Sequence, residues 1–261
     1  MTNDSRTLLN DEILHFLYSK ASFQGLSEEE QQQFLLRFQT DDVFKEIIEI
    51  SIALEETITE VEATMPKIQD RDFLLSQQEQ KEVLKERMVV NGNVYYVPFD
   101  ELDHIYSPMI IALQQSNTME EFDTFCKGII LPLFNLCALQ RRDIIILPFG
   151  KETKAPLHFK NGIMDTPTFD SFLNGEHGGE AAIVPVLTKA LQLFKNDPIN
   201  NQRDLMIITD NQFTDFNDLI QQDVTHTLRA LNIDVSVIAM SEIDFEVQPI
   251  TFADKVFFAN E

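Results

Sequence analysis

Three short stretches of the sequence place oxygen-bearing side chains directly after an apolar run or directly before a helical pattern. They are LQQSNTMEEF (residues 113–122), GGEA (178–181) and TDNQ (209–212). Carboxylate, hydroxyl and amide oxygens are the ligands that Mg²⁺ and similar hard cations prefer. If the three stretches meet in space, they could hold a divalent cation or form a polar surface for a partner.

The candidate residues of this site are Gln114, Ser116, Thr118, Glu180 and Asp210. Asp210 is of special interest because it follows the apolar run Leu205–Ile208, where a buried strand would end. Asp215 and Asp218 could widen an acidic rim, but we favour their assignment to the acidic start of an exposed helix.

Each candidate also has a purely structural explanation. Thr118 and Glu121 fit a capping box, in which the two residues cap the same helix. Asp210 and Asn211 are typical turn residues. Glu180 suits the first turn of a helix, where the helix dipole favours an acid.

The common catalytic signatures are absent from the sequence. It contains no GxxxxGK[ST], GxGxxG, GxSxG or HExxH pattern, and its five histidines are scattered. The Gly-rich stretch GEHGG (175–179) lacks the lysine of a phosphate-binding loop and is read as a flexible turn. Nothing in the sequence pairs a nucleophile with a base, which argues against an enzyme.

The elements that must position these residues follow an α/β pattern from about residue 105 onward. Apolar runs of strand length, such as SPMIIAL, RDIIILPFG, LMIITD and IDVSVIAMS, alternate with helical patterns. Such alternation predicts a doubly wound, mostly parallel sheet with helices on both faces. Ligands of these sheets bind beyond the carboxyl ends of the strands, which is where Asp210 would lie.

The preceding part of the chain has a different periodicity. Residues 1–90 are predicted to be helical, with four helices: 8–20, 27–38 with a Ser27–Glu30 capping box, 41–63 and 73–88. Residues 91–104 form a hairpin and linker, since Asn91-Gly92 lies between two β-rich runs. The predicted organisation is therefore 1–90 helical, 91–104 linker and 105–261 α/β domain.

Composition restricts the partners. The 261 residues carry 43 acids and 20 bases, a formal charge of -23, which disfavours nucleic acid and anionic membranes. No signal peptide or membrane span is apparent, and Cys126 and Cys137 are too far apart on one helix to form a disulfide. We therefore expect a cytoplasmic protein with free cysteines.

The order of these elements and loops resembles the von Willebrand factor A (VWA) domain family. That family has a parallel sheet with a metal-ion-dependent adhesion site (MIDAS): an Asp-x-Ser-x-Ser loop, a Thr after a Gly-rich turn, and an Asp after a later strand. Gln114, Ser116 and Thr118 fall on the three loop positions, Glu180 on the Thr position and Asp210 on the last Asp. The resemblance covers about residues 105–261.

The resemblance implies two alternatives for the site. Gln114 replaces an acid, while Glu180 supplies an acid in place of a hydroxyl. Mg²⁺ or Mn²⁺ could therefore bind at a rearranged site, or the site could be a degenerate MIDAS that binds protein without metal. We favour the degenerate site.

Within the family, the chain is most similar to bacterial CoxE and ViaA-like proteins, which carry the A domain after a helical region and work with MoxR-type AAA+ ATPases. The resemblance implies a non-enzymatic adaptor, a co-chaperone or assembly factor for such an ATPase. The alternatives are a Mg²⁺-dependent hydrolase acting at the carboxyl edge of the sheet and a structural subunit of a larger assembly.

Overall fold

The fold is described from a computed structural model. It describes residues 20–23, 26–64, 85–90, 93–98, 106–197, 203–216, 224–240, 250 and 252–259. Residues 8–19 of the predicted first helix (8–20), residues 73–84 of the predicted fourth (73–88) and Asp218 lie outside these residues. Within them the helices are α1 (Glu28–Thr40), α2 (Asp42–Thr64), α3 (Asp123–Leu139), α4 (Thr166–Leu173), α5 (Ile183–Asn196) and α6 (Val224–Ala230). Short 3-10 helices span Ala21–Phe23, Asn117–Phe122 and Lys160–Gly162.

The strands form a hairpin and a larger sheet. The hairpin pairs β1 (Lys85–Val90) with β2 (Asn93–Pro98). The larger sheet contains β3 (Met109–Gln114), β4 (Ile144–Phe149), β5 (Leu157–Phe159), β6 (Arg203–Thr209), β7 (Ile233–Ala239) and β8 (Lys255–Phe258).

The large sheet has the order β5-β4-β3-β6-β7-β8. All neighbours run parallel except β5, which pairs antiparallel with β4. The strands that follow β3 in the chain, β4 and β5, lie on one flank of β3, whereas β6, β7 and β8 lie on its other flank. The strand order therefore reverses between β3 and β6, which creates the crevice that α/β proteins use for ligands. The predicted doubly wound, mostly parallel fold is confirmed.

Two apolar cores cover the two faces of this sheet. Alternate residues of β3 point to opposite faces, so that Ile111 belongs to the core under α1 to α4, while Ile110 belongs to the core under α5 and α6. Both isoleucines are fully buried. This burial on both faces explains why the strand reads as a continuous apolar run.

The N-terminal helices share the first of these cores. Phe34 of α1 packs against Phe44 of α2 and Phe169 of α4, with ring centroids 5.9 and 5.2 Å away. Arg37 Nη1 donates to Asp170 Oδ1 across 2.6 Å, and the predicted Ser27–Glu30 capping box is present. Helices α1 and α2 are therefore packed onto the α/β domain by a cluster of phenylalanines.

Helix α3 and the 3-10 turn before it are apolar and long enough, by length and composition, to cross a membrane (Asn117–Leu139). In the structure this segment is a core element. Ile130, Phe134 and Cys137 are completely buried in the first core, while Leu136 and Leu139 of the same helix are exposed.

The boundary between the helical region and the sheet differs in part from the prediction. The hairpin is confirmed, with Val90 opposite Asn93. The predicted fourth helix, however, is wrong at its end, because Lys85–Met88 belong to β1. Lys, Glu and Arg favour helices, but pairing with β2 satisfies the backbone of this segment as a strand.

The phenylalanine cluster gives a test of the packing between α1 and the α/β domain. Phe34→Ala should lower the free energy of unfolding by about 3–5 kcal/mol, because it removes a ring that is only 5% exposed. Leu36→Ala on the same helix is the matched control: Leu36 is 60% exposed, and its loss should cost no more than about 0.5 kcal/mol. Chemical denaturation measures both; equal losses would contradict the packing.

Candidate functional site

The candidate site lies where β3 and β6 end side by side. Gln114 is the last residue of β3, and Asp210 directly follows β6. The two strands are paired up to Leu113 and Ile208, so their next residues emerge at the same edge. Both Gln114 and Asp210 are nearly inaccessible to solvent, with exposures of 0% and 3%. The reversal of strand order therefore brings an amide and a carboxylate together in a buried position.

Four of the five predicted residues form one hydrogen-bonded ring. Gln114 Nε2 donates to Ser116 Oγ and to Asp210 Oδ1, each at 2.7 Å. The hydroxyls of Ser116 and Thr118 lie 2.9 Å apart, and Thr118 in turn donates to Asp210 Oδ2. Both oxygens of the Asp210 carboxylate are therefore held by groups from the loop after β3.

The residues around Asp210 hold the ring from the β6 side. The Thr209 hydroxyl donates to Gln114 Oε1 and accepts a hydrogen bond from the backbone N–H of Asn211 at 2.8 Å. The N–H of Gln212 donates to Asp210 Oδ1 at 2.9 Å. Asn211 adopts a φ of 60°, a left-handed conformation that Asn tolerates better than most residues. The turn predicted at Asp210–Asn211 is thus present, together with the ring.

Thr209 is a site residue that the sequence analysis missed. It is fully buried, and its hydroxyl connects the end of β6 to the side-chain amide of Gln114. Its sequence signal was a hydroxyl directly before the candidate acid, at the end of an apolar run.

Thr118 does not act as the predicted helix cap. The residues after it form a 3-10 helix from Asn117 to Phe122 that lacks a side-chain cap. The Thr118 hydroxyl is bonded instead to Ser116 and Asp210. The capping-box prediction for Thr118 and Glu121 is wrong, because the longer-range partner on the β6 loop takes the hydroxyl.

The Gly-rich turn also reaches this edge, but Glu180 does not join the ring. The N–H of Asn117 donates to Gly179 O, and the N–H of Gly179 donates to Asn117 Oδ1, both at 3.2 Å. Gly179 has a φ of 70°, which favours glycine. The side chain of Glu180 is exposed, and it makes no hydrogen bond or ion pair with the residues that the structure describes. The backbones of the three segments meet, whereas the side chain of Glu180 lies on the rim.

The position of Glu180 follows from where the next helix begins. Helix α5 begins at Ile183, with Ala182 as its N-cap, so Glu180 precedes the first turn in which an acid was expected. The N-terminus of α5 is capped instead by Asp215, which lies on the loop after β6. Asp215 Oδ1 and Oδ2 accept from the N–H groups of Ile183 and Val184, both at 2.8 Å. Asp215 was predicted to lie at the acidic start of its own helix, and Phe216 directly after it is helical; its carboxylate in addition caps α5.

A cluster of charged groups around the buried Lys127 lies beside the Gly-rich turn. Lys127, 2% exposed, donates to Asp123 and to Leu173 O, and His177 Nε2 lies 3.4 Å from Asp123 Oδ1. Lys154 Nζ donates to Gln115 Oε1 at 2.8 Å. Burial lowers the pKa of His177, and the nearby Lys127 and Lys154 also lower it, against the opposite effects of Asp123 and Glu120. His177 is thus favoured in its neutral form.

The cysteines take no part in the site. Cys126 and Cys137 are free, buried and located on α3, as predicted. Burial raises the pKa of each thiol to about 12, so neither is a reactive thiolate at neutral pH. Among the described residues there is also no group of three or more His, Cys, Asp or Glu side chains arranged to hold a metal ion.

No protein-family model and no curated protein matches this sequence. Solved structures with a similar arrangement include the VWA domain of SpRpn10, which has 14% identity and a TM-score of 0.48 over 59% of this chain and 87% of that one. The manganese-loaded TRAP protein of Plasmodium vivax has 13% identity and a TM-score of 0.44 over 60% of this chain and 69% of that one. The proximal thread matrix protein 1 of the mussel byssus, with a zinc-occupied MIDAS motif, has 14% identity and a TM-score of 0.40 over 60% and 42%. The fold assignment rests on this chain's own strand order and register.

The cap on α5 can be tested with two substitutions of one residue. Asp215→Ala removes both acceptors and should lower the free energy of unfolding by about 1–2 kcal/mol. Asp215→Asn keeps one acceptor oxygen and should cost less. Chemical denaturation of the two variants measures the difference; an alanine variant as stable as the wild type would show that the cap contributes nothing.

The lowered pKa of His177 predicts a pH dependence of stability. In the unfolded chain the pKa of His177 is about 6.5. Below that pH the unfolded state binds a proton at His177 more readily than the folded state does, because the folded pKa is lower. The contribution to stability is therefore complete above about pH 6.5 and is lost as the pH falls through the lower folded pKa. His177→Asn should flatten the fall in melting temperature between about pH 7.5 and 5.5.

The control for this measurement is His226→Asn, which changes an exposed histidine. The assignment to His177 requires that His177→Asn flatten the slope more than His226→Asn does. Equal slopes in the wild type and in His177→Asn would refute the assignment to His177.

Proposed function

We propose that the chain is a non-enzymatic adaptor that binds a protein partner at the carboxyl edge of its large sheet. The observation that carries this proposal is the convergence of three loops on the ring formed by Gln114, Ser116, Thr118 and Asp210. The ring fixes the loops in place, and the residues above it face solvent. Binding surfaces gain affinity when the groups that contact the partner are held in advance.

The proposed docking surface is the exposed rim of this edge. Its members are polar or acidic and come from all three loops: Asn117, Thr118, Glu120, Gly178, Gly179, Glu180 and Gln212. The rim offers hydrogen-bond groups and negative charge on a protein that already carries a formal charge of -23. A partner with a basic contact face would be steered toward it.

By the resemblance to CoxE and ViaA-like proteins, the partner we propose is a MoxR-type AAA+ ATPase. The chain would then act as a co-chaperone or assembly factor in the cytoplasm. The buried free cysteines, Cys126 and Cys137, are compatible with a reducing compartment.

The absence of catalysis is part of this proposal. The ring contains one carboxylate, Asp210, whose two oxygens accept hydrogen bonds from Gln114 and Thr118. An acid held in this way is a poor general base or nucleophile, because its lone pairs are already engaged. Hydrolysis of a phosphate or ester substrate that disappears in Asp210→Ala would contradict the proposal and favour a hydrolase.

The docking surface is tested by reversing charge on the rim. Glu180→Lys should weaken association with a purified MoxR-type ATPase by roughly tenfold or more, since it places a cation against a basic face. Glu46→Lys is the matched control, because Glu46 is an exposed acid on α2, remote in sequence from the rim. Surface plasmon resonance with ATP and with ADP gives the affinities. Equal weakening by the two variants would refute docking at this rim.

A further inference from the structure

The hydrogen atoms of the ring can be assigned from chemistry alone. The Thr209 hydroxyl oxygen accepts from the N–H of Asn211, so its own hydrogen is free to point at Gln114. The Asp210 carboxylate can only accept, so the atom of Gln114 that faces it must be Nε2, and the acceptor Oε1 then faces the Thr209 hydroxyl. The reverse orientation would set an amide oxygen against a carboxylate oxygen, two acceptors without a hydrogen between them.

The remaining hydroxyls follow in sequence. Gln114 donates one hydrogen to Ser116 and the other to Asp210. Ser116 then donates to Thr118, and Thr118 donates to Asp210. Every hydrogen of these four side chains that can form a hydrogen bond thus has an acceptor, and the carboxylate receives donors on both oxygens. The ring is complete without any further group.

This arrangement does not fit a divalent cation. A cation bound jointly by Ser116 Oγ and Asp210 Oδ1 would occupy the space between these oxygens, and Gln114 Nε2 lies 2.7 Å from each of them. An amide NH₂ has no lone pair to offer a metal. Turning the amide over would present Oε1 to the cation but would take away the acceptor of the Thr209 hydroxyl. Ser116 and Asp210 are 2% and 3% exposed, which leaves little access for the water that completes a magnesium shell.

We propose that the side-chain amide of Gln114 takes the place of a metal ion in this site. Its two N–H groups bridge Ser116 and Asp210, so the loop after β3 and the loop after β6 are joined by hydrogen bonds that require no cation. The joined loops exist whether or not a partner docks above them. Association at the rim is consequently independent of Mg²⁺ and Mn²⁺.

The wild-type protein gives the first test, with Mn²⁺ as the probe. Titration followed by electron paramagnetic resonance should leave the signal of free Mn²⁺ undiminished, and the melting temperature should be the same in EDTA, Mg²⁺ and Mn²⁺. Loss of the free signal on adding protein, reversed by Asp210→Asn, would overturn the proposal. No partner is present, so this result is independent of whether docking occurs at the rim.

Two variants test the role of the amide itself. Gln114→Glu keeps the length of the side chain but sets a second carboxylate against Asp210. It should melt below the wild type in EDTA and recover with Mn²⁺, because a cation can then bridge the two acids. Gln114→Met, similar in size but without a donor or a hard ligand, should also melt lower and should not recover with Mn²⁺.

Gln114→Glu melting at the wild-type temperature in EDTA would overturn the role assigned to the amide. If Gln114→Glu does not fold in EDTA, its refolding is measured with and without Mn²⁺. Folding of this variant in Mn²⁺ but not in EDTA supports the proposal. The manganese titration is made on the folded wild type, and it decides against the proposal if Mn²⁺ binds there and Asp210→Asn abolishes that binding.

Discussion

The hydrogen bonds between the end of β3 and the end of β6 are the contact on which the candidate site depends. At this point the chain leaves the two strands toward opposite sides of the sheet, so the strand pairing that holds them together stops at Leu113 and Ile208. Gln114, Thr209 and Asp210 are buried beyond the last pair. A buried polar group without a partner costs roughly 1–3 kcal/mol. The ring satisfies these groups and continues the connection between the strands with side chains.

The rest of the edge is arranged around this connection. The N–H of Gly178 donates to Gln115 O at 3.1 Å, and Asn117 is bonded to Gly179, so the Gly-rich turn is attached to the residues that flank the ring. The turn leads into α5, whose first N–H groups are capped by Asp215 from the β6 loop. Each of the three loops is therefore bonded to both of the others. The surface above them is fixed by this mutual attachment, and the apolar cores on the two faces fix the strands beneath.

The sequence predicted the α/β fold because burial on both faces gives strands a continuous apolar pattern that differs from the helical period. It predicted the hairpin at Asn91-Gly92 and the Ser27 capping box for the same local reasons. The strand at Lys85–Met88 was missed because its residues favour a helix and only pairing with β2 decides otherwise. The meeting of the loops after β3 and β6 could be expected, since strand ends are visible in sequence. The hydrogen-bond partners could not: that Thr118 bonds to Asp210 and that Asp215 also caps α5 depends on residues far away in the chain.

The side-chain directions also change how the two departures from the MIDAS pattern are explained. The MIDAS pattern has an acid at position 114 and a hydroxyl at position 180, whereas this chain has Gln114 and Glu180. From sequence alone, this suggests that Glu180 supplies the negative charge that Gln114 lacks. Glu180 is exposed on the rim, so it does not return that charge to the ring. The neutral Gln114 does not require a second acid elsewhere in the site. An acid at position 114 would face the Asp210 carboxylate, and a cation would then be needed between the two. The amide of Gln114 instead donates to Ser116 Oγ and to Asp210 Oδ1. The neutral residue at position 114 and the single carboxylate at position 210 are therefore one consistent arrangement, and the acid at position 180 lies apart from it, exposed on the rim.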